Sequence, residues 1–150
     1  MNQETIMKKR MYRAIVLFIL TFIAMLVFIG LYIDETHRVQ RTYRQQYRTE
    51  LQHVSGEITA YLKAEGGLDT RYSMIIGYMS NAGSYAFLID DFTDEQKIIN
   101  EVSTALIKYP QQMSQKLDEL NQAVTDILAD LDKGYEEAED IVDSLNKQGK

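Results

Sequence analysis

An uninterrupted apolar segment, residues 14–33 with the sequence AIVLFILTFIAMLVFIGLYI, constrains this chain more than any other feature. Its twenty residues carry no charge, and as a helix they would extend about 30 Å, the thickness of a bilayer's hydrocarbon core. The segment leads into Asp34 and Glu35, not into the small residues of a signal-peptide cleavage site. We therefore expect residues 14–33 to form an uncleaved signal anchor that spans a membrane once.

Basic residues flank the apolar segment on both sides, so a count of charges alone does not orient it. The flanking residues are Lys8, Lys9, Arg10 and Arg13 before the segment, and Arg38, Arg41, Arg44 and Arg48 after it. Basic flanks mark the cytoplasmic side. Because the first cluster adjoins the segment directly and the second follows two acids, we expect a cytoplasmic N-terminus and an extracytoplasmic C-terminal part.

Apolar residues after residue 33 recur at spacings of three and four, the period of one helix face. Two such faces are Tyr47, Leu51, Val54, Ile58 and Tyr61, and Met113, Leu117, Leu120, Val124, Ile127, Leu131, Gly134, Ala138, Ile141 and Leu145. We expect helices near residues 34–65, 69–89, 94–109 and 111–146.

Glycine and proline mark the expected helix ends. Gly66 and Gly67 can end the first helix, and Pro110 should break the chain because it lacks the N–H that a helix interior needs. A single kinked helix over 94–146 is the alternative at Pro110. Thr93 followed by Gln96 has the pattern of a capping box that would open the third helix.

The width of the apolar stripe distinguishes a folded bundle from a two-stranded rod. Leu128, Tyr135 and Val142 widen the last stripe beyond the two positions of a coiled-coil seam. The predicted fold class is therefore all-α, with a single N-terminal transmembrane helix that continues into an antiparallel bundle of three to four helices. The predicted domains are a basic tail (1–13), the transmembrane helix (14–33), the bundle (34–146) and a disordered tail (147–150).

The stretch HRVQRTYRQQYR places Arg38, Arg41, Arg44 and Arg48 together in a chain whose net charge is −6. Between Asp118 and Asp143 there are ten acids and a single lysine. If the first and last helices pack antiparallel, Glu137 and Glu139 are the best-placed intramolecular partners of the arginines. Anionic lipid headgroups or wall polymers, and another membrane protein, are the alternative partners.

No motif in the sequence predicts catalysis, a metal or a cofactor. Cysteine is absent, and the Glu-x-x-His pair formed by Glu50 and His53 lacks the facing second pair that a di-iron site needs. The stretch DDFTDEQKIINE has Phe92 and Glu95 where a calcium loop requires a ligand and a glycine. We therefore expect a non-enzymatic protein, and its acidic excess disfavours nucleic acid as a partner.

These features favour a scaffold or accessory subunit of a cell-envelope or membrane complex, with the lipid bilayer and a membrane or envelope protein as partners. The layout of residues 14–146 resembles that of chemoreceptor and sensor-kinase ectodomains, which implies a ligand-binding input domain as an alternative. A dimeric coiled-coil stalk is the second alternative, and homo-oligomerisation is left open. Small residues at 82, 83, 84 and 86 allow either close helix packing or space for a ligand.

Overall fold

The computed structural model describes residues 3–146, in which every regular element is an α-helix. The six helices are α1 (Gln3–Leu62), α2 (Leu68–Ala86), α3 (Thr93–Lys108), α4 (Pro110–Gln115), α5 (Leu117–Asp130) and α6 (Tyr135–Asp143). The expected all-α class is confirmed for this part of the chain. The tail predicted over residues 147–150 lies outside the described residues.

Two compact units divide the chain, Met1–Val39 and Gln40–Lys150, and α1 contributes residues to both. In the first unit, the large side chains of the apolar segment are all exposed, from 45% for Ile15 to 76% for Tyr32. Within the described residues, α1 holds the one stretch that is long and apolar enough to cross a membrane, with a mean hydropathy of 3.0. This stretch is consistent with single-pass membrane localisation.

The second unit encloses a hydrophobic core, to which α1 contributes one complete face. Tyr47, Leu51, Val54 and Ile58 are fully buried, as their spacing predicts. The other helices contribute Ile75, Met79, Ala82, Ala86, Ile99, Val102, Leu106, Met113, Leu117, Leu120, Ala123, Val124, Ile127, Ala138, Ile141 and Val142, among others. This core lies within one chain, and α2, α5 and α6 each form a side-chain hydrogen bond with the second half of α1.

Helix α2 runs antiparallel to the second half of α1. Asn81 Nδ2 donates to Glu50 Oε2 at 3.3 Å, and farther along α1, Arg71 Nη1 donates to Glu57 Oε2 at 2.9 Å. From Glu50 to Glu57 along α1, the bonded residue of α2 moves backward from Asn81 to Arg71, as it does in an antiparallel pair. The turn that makes this reversal contains Gly66 and Gly67 at φ 58° and 52°, so the predicted break at these glycines is confirmed.

Helices α2 and α3 approach each other closely at the small residues of α2. Ala82, Gly83 and Ala86 are buried, and a methyl group at position 83 would lie 2.5 Å from Asn100 Oδ1. Of the two uses that the sequence left open for these small residues, close helix packing is the one that the structure adopts.

The C-terminal segment differs most from expectation, because the single helix predicted over 111–146 is three helices. Helix α5 ends where Leu131 adopts a left-handed φ of 57°, and Gly134 follows at φ 88°. A side chain at position 134 would collide with the Ala123 carbonyl oxygen, so α6 folds back closely against α5. Leu131 and Gly134 are both buried. The apolar period therefore continues through the reversal and conceals it.

The breaks around α3 are partly as predicted. Pro110 is the first residue of α4, which confirms the break there. The second helix ends at Ala86, three residues earlier than expected. The predicted capping box is wrong, because Thr93 is already helical and the N-cap residue is Phe92, which makes no side-chain cap hydrogen bond. Phe92 is instead buried, only 5% exposed.

Candidate interaction surface

Three of the four arginines predicted to make charge contacts line an open groove along α1, which we call the arginine groove. Its lining residues are Arg41, Arg44, Gln45, Arg48, Thr49, Gln52 and Leu131, and its volume is about 610 Å³. The arginines share one side of the helix because their spacings are three and four. No acidic residue is among those that line the groove, so its charge is positive in a protein that is negative overall.

Phe92 holds one of these arginines in place. The Arg44 guanidinium carbon lies 4.9 Å from the centre of the Phe92 ring, in the geometry of a cation–π contact. The same ring meets Tyr47 edge-on at 5.7 Å and Tyr135 at 6.4 Å between ring centres. Arg44 is therefore half-buried against an aromatic cluster, whereas Arg41 and Arg48 are exposed.

Beneath the arginines, two tyrosine hydroxyls pair inside the core. The Tyr47 and Tyr135 hydroxyl oxygens lie 3.0 Å apart, and this bond connects α1 to the first residue of α6. Burial raises the pKa of Tyr47 well above its ordinary value of 10.0 and raises the pKa of Tyr135 to about 12. Both hydroxyls are thus neutral at physiological pH, and the pair is a structural contact with no acidic role.

A glutamine at the start of the second unit binds the loop between α2 and α3 through both of its polar atoms. Gln40 Nε2 donates to the Leu88 carbonyl oxygen at 3.1 Å, and the Asp90 backbone N–H donates to Gln40 Oε1 at 3.0 Å. The loop residues Phe87 and Leu88 are 70% and 42% exposed. We call these two residues the loop tip, and Gln40 fixes it beside the first turn of the second unit.

The remaining predicted site residues lie apart from the groove. Arg38 pairs with Glu35 on its own helix at 2.7 Å, and the Arg38 guanidinium lowers the pKa of the Glu35 carboxyl. Glu137 lines an acidic cleft of about 420 Å³ and Glu139 lines a third cleft of about 750 Å³. None of the five ion pairs in the described residues joins Arg41, Arg44 or Arg48 to either glutamate.

Metal-ligating side chains do not gather in the part of the chain that the structure describes. No group of three or more His, Asp or Glu residues is placed to hold an ion there. His53 lies 4.8 Å from the Tyr78 ring and, like His37, is exposed. These histidines are on the surface, away from the core.

Sequence reasoning missed Gln40, the loop tip and Phe92. Gln40 gives no signal because an isolated glutamine on a polar helix face is ordinary. Phe87 and Leu88 do give one, since they are large apolar residues that fall off the periodic face occupied by Ala86 and Ile89. Large apolar residues outside the core-facing stripe are candidates for a contact surface.

The arginine groove is chemically suited to bind anions. Guanidinium groups remain charged at all physiological pH values and match phosphate and carboxylate oxygens in pairs. No family model, curated protein or solved structure matches this chain. Its function is therefore argued from the apolar segment, the core and the surfaces described above.

Proposed function

We propose that this protein is a single-pass, membrane-anchored scaffold or accessory subunit of a cell-envelope or membrane complex, without enzymatic activity. The observation that carries the proposal is the contrast between the apolar segment, whose side chains are all exposed, and a second unit that buries its own core. Exposed apolar surface of this extent is stable only in lipid or against another apolar surface. The second unit, an antiparallel helical bundle in this proposal, needs neither lipid nor another apolar surface, because it buries its own apolar residues.

The proposed mechanism is presentation of a binding surface at the membrane. The apolar segment restricts the second unit to the bilayer surface, which raises its local concentration toward other membrane components. The arginine groove and the acidic cleft around Glu137 give the unit surfaces of opposite charge. Charged surfaces of this kind steer association and discriminate between partners more than they add affinity.

We propose a cytoplasmic N-terminus and an extracytoplasmic second unit. Lys8, Lys9, Arg10 and Arg13 adjoin the apolar segment without intervening acids. On the other side, Arg38 is paired with Glu35. A basic cluster that adjoins the membrane marks the cytoplasmic side.

Substituted cysteines test this topology cleanly, because the chain contains no cysteine of its own. We would express Lys9→Cys and Gln111→Cys variants and treat intact cells with a membrane-impermeant maleimide. Gln111 is exposed, so labelling at position 111 and protection at position 9 until the cells are opened is the expected result. The reverse pattern would invert the orientation, and release of the protein from membranes by alkaline carbonate would reject the membrane anchor.

A sensor-type ligand-binding domain is a second candidate, and one observation favours it. The cleft of about 750 Å³ between α3 and α6 is lined by Lys97, Asn100, Lys108, Tyr109 and Glu139, among others, and is large enough for a small metabolite. A ligand that binds the folded state raises the unfolding temperature by mass action. A thermal-shift screen with small polar metabolites would identify it, and a compound that stabilises the protein but not its Asn100→Leu variant would establish this reading.

A dimeric coiled-coil stalk is less well supported, because the apolar faces of the helices in the second unit are buried within one chain. Light scattering on the purified protein in detergent, corrected for bound detergent, measures the number of copies. A stable, elongated dimer would favour the stalk over the bundle.

A further inference from the structure

We propose that the loop tip, Phe87 and Leu88, inserts into the interfacial layer of the bilayer that holds the apolar segment, while the arginine groove binds phosphate groups of anionic lipids. The inference rests on the proposed membrane anchor and adds a second, peripheral attachment of the second unit to the same membrane. Its occupant is the lipid surface itself.

Chain length limits how far the loop tip can be from the bilayer. Gln40 follows Ile33, the last residue of the apolar segment, by seven positions. Seven residues span at most about 25 Å even when fully extended. Gln40 is bonded directly to the Leu88 carbonyl oxygen at 3.1 Å. Whatever the arrangement of the two units, the chain between Ile33 and Gln40 is short enough to keep the loop tip within reach of the bilayer surface.

The loop tip also has the chemistry of a membrane contact. In the second unit, Phe87 at 70% is the most exposed of the large apolar side chains that the structure describes. Phenylalanine and leucine on a surface insert into the boundary between headgroups and acyl chains. Gln40 already satisfies the backbone carbonyl of Leu88, so inserting the tip does not leave this carbonyl without a hydrogen bond.

The groove supplies the electrostatic half of the attachment. Arg41 follows Gln40 directly, and Arg44 and Arg48 continue along the same side of α1. Arg44 is held by Phe92, which is two residues beyond Asp90, the other residue bonded to Gln40. The exposed Asp90 and Asp91 oppose an anionic surface, so the proposal requires the apolar tip and the arginines together. Bidentate guanidinium–phosphate contacts are the expected bonds.

Ile107 offers a matched control on the same unit. It is 59% exposed and similar in apolar character to the loop tip, but it lies at the other end of α3 from Phe92. Its neighbour Leu106 accepts a hydrogen bond from Tyr72, whose ring lies 6.1 Å from Tyr61. Tyr61 is twenty-one residues along α1 from Gln40, about 30 Å of helix. Ile107 is therefore far from the loop tip within the second unit, which makes it a suitable control position.

The test uses the full chain in vesicles that contain phosphatidylcholine and phosphatidylglycerol. Single cysteines at Phe87→Cys, Ile107→Cys and Leu20→Cys would each carry a nitroxide spin label. Collision rates with oxygen, which concentrates in lipid, and with a polar nickel chelate, which remains in water, report the depth of each label. We expect the oxygen-to-nickel ratio at position 87 to lie below that at position 20, as an interfacial depth requires, and several-fold above that at position 107.

The position 20 label separates the two ways to fail. If position 20 is in lipid and position 87 is as accessible to nickel as position 107, the loop tip is in water and this inference is overturned while the anchor stands. If position 20 itself is in water, the proposed anchor fails as well. A position 87 label shielded from both reagents, with dipolar broadening, would identify a second copy as the occupant and also overturn the inference.

A second measurement tests the arginines. The double variant Arg41→Gln/Arg48→Gln, made in the Phe87→Cys background, should reduce the oxygen-to-nickel ratio at position 87 in anionic vesicles. Lys97→Gln/Lys108→Gln is the matched control, since both lysines line the cleft between α3 and α6 instead of the groove. An equal reduction in both double variants would show that overall charge, not the groove, attracts the lipid. Release of the tip by inorganic phosphate, but not by chloride of equal ionic strength, would assign the groove to free phosphate instead.

Discussion

The two units of this chain use one helix in opposite ways. Over residues 14–33, α1 exposes large apolar side chains in every direction, and Phe18 and Phe28 are 71% and 72% exposed. Over residues 47–58, the same helix buries one face completely and leaves polar side chains on the rest. A helix that is apolar all round suits lipid, whereas an apolar stripe suits a protein core. The change in pattern along α1 is therefore the one that the proposed membrane anchor requires.

Truncation of one leucine in each unit is the most direct way to break this comparison. Leu51→Ala should lower the free energy of unfolding by about 2–5 kcal/mol, because Leu51 is fully buried and its loss leaves a cavity. Leu20→Ala, at a side chain that is 58% exposed, should leave the second unit's stability unchanged. Urea unfolding in detergent, followed by tyrosine circular dichroism, measures both. Equal losses would mean that the units do not unfold separately.

Alanine substitutions at two glycines should give the next largest difference in stability. Gly134→Ala should cost roughly 1–3 kcal/mol, because the residue has φ 88° and its new methyl group meets the Ala123 carbonyl oxygen. Gly77→Ala is the control in a helix with open space around it, and should be neutral or stabilising by up to about 1 kcal/mol. Thermal unfolding of the two variants compares them. A neutral Gly134→Ala would contradict the tight turn between α5 and α6.

The buried tyrosine pair predicts a pH dependence that is specific to the second unit. Tyr47→Phe should cost roughly 1–3 kcal/mol because it leaves the Tyr135 hydroxyl buried without its partner. The double variant Tyr47→Phe/Tyr135→Phe should recover part of that loss.

The pKa of Tyr135 is about 12 in the fold and ordinarily 10.0, and the pKa of Tyr47 is raised as well. The folded state therefore holds protons that the unfolded chain releases first. Stability from these groups is complete below about pH 10 and falls as the pH rises toward 12 and beyond. Urea unfolding between pH 8 and 11.5 should show this decline, and the double phenylalanine variant should show less of it.

Removal of one of two ion pairs, one in each unit, should give the smallest difference in stability. Arg71 and Glu57 are 27% and 19% exposed, and Arg71 also donates to the Glu65 carbonyl oxygen. Arg71→Gln should cost about 1 kcal/mol. Arg38→Gln should have no measurable effect on stability, since Arg38 and Glu35 are 69% and 55% exposed and solvent screens them. Added salt should change neither result much, and a large loss in Arg38→Gln would show that this part of α1 is coupled to the core.

The sequence predicts the core faces well because burial and helical period are directly related. The residues of the α1 stripe from Tyr47 to Ile58 are all buried, as are Tyr135 and Val142, which widen the last stripe. It does not predict the reversal at Leu131 and Gly134, because both flanking faces turn toward the same core. The glycine at position 134, which interrupts an otherwise apolar stripe, was the one feature of the sequence that pointed to this reversal.

Polar contacts between residues that are far apart in the chain could not be predicted from the sequence. Arg41, Arg44 and Arg48, which their spacing groups on one side of the helix, line one groove. None of the ion pairs in the described residues joins them to Glu137 or Glu139, so the partner of these arginines stays a prediction. The bond from Gln40 to Leu88 spans forty-eight positions and depends on the packing of α2 against α1.

The hydroxyl bond between Tyr47 and Tyr135 has a consequence for how the protein is made. The two residues are separated by 88 positions, and ribosomes add roughly 5–20 residues per second, so the core face of α1 is synthesised roughly 4–18 s before its last covering helix. During that interval Tyr47, Leu51 and Val54 lack part of their native cover while the chain behind them is still being made. The core of the second unit can therefore be completed only after Tyr135 has been synthesised, however early the first half of that core is made.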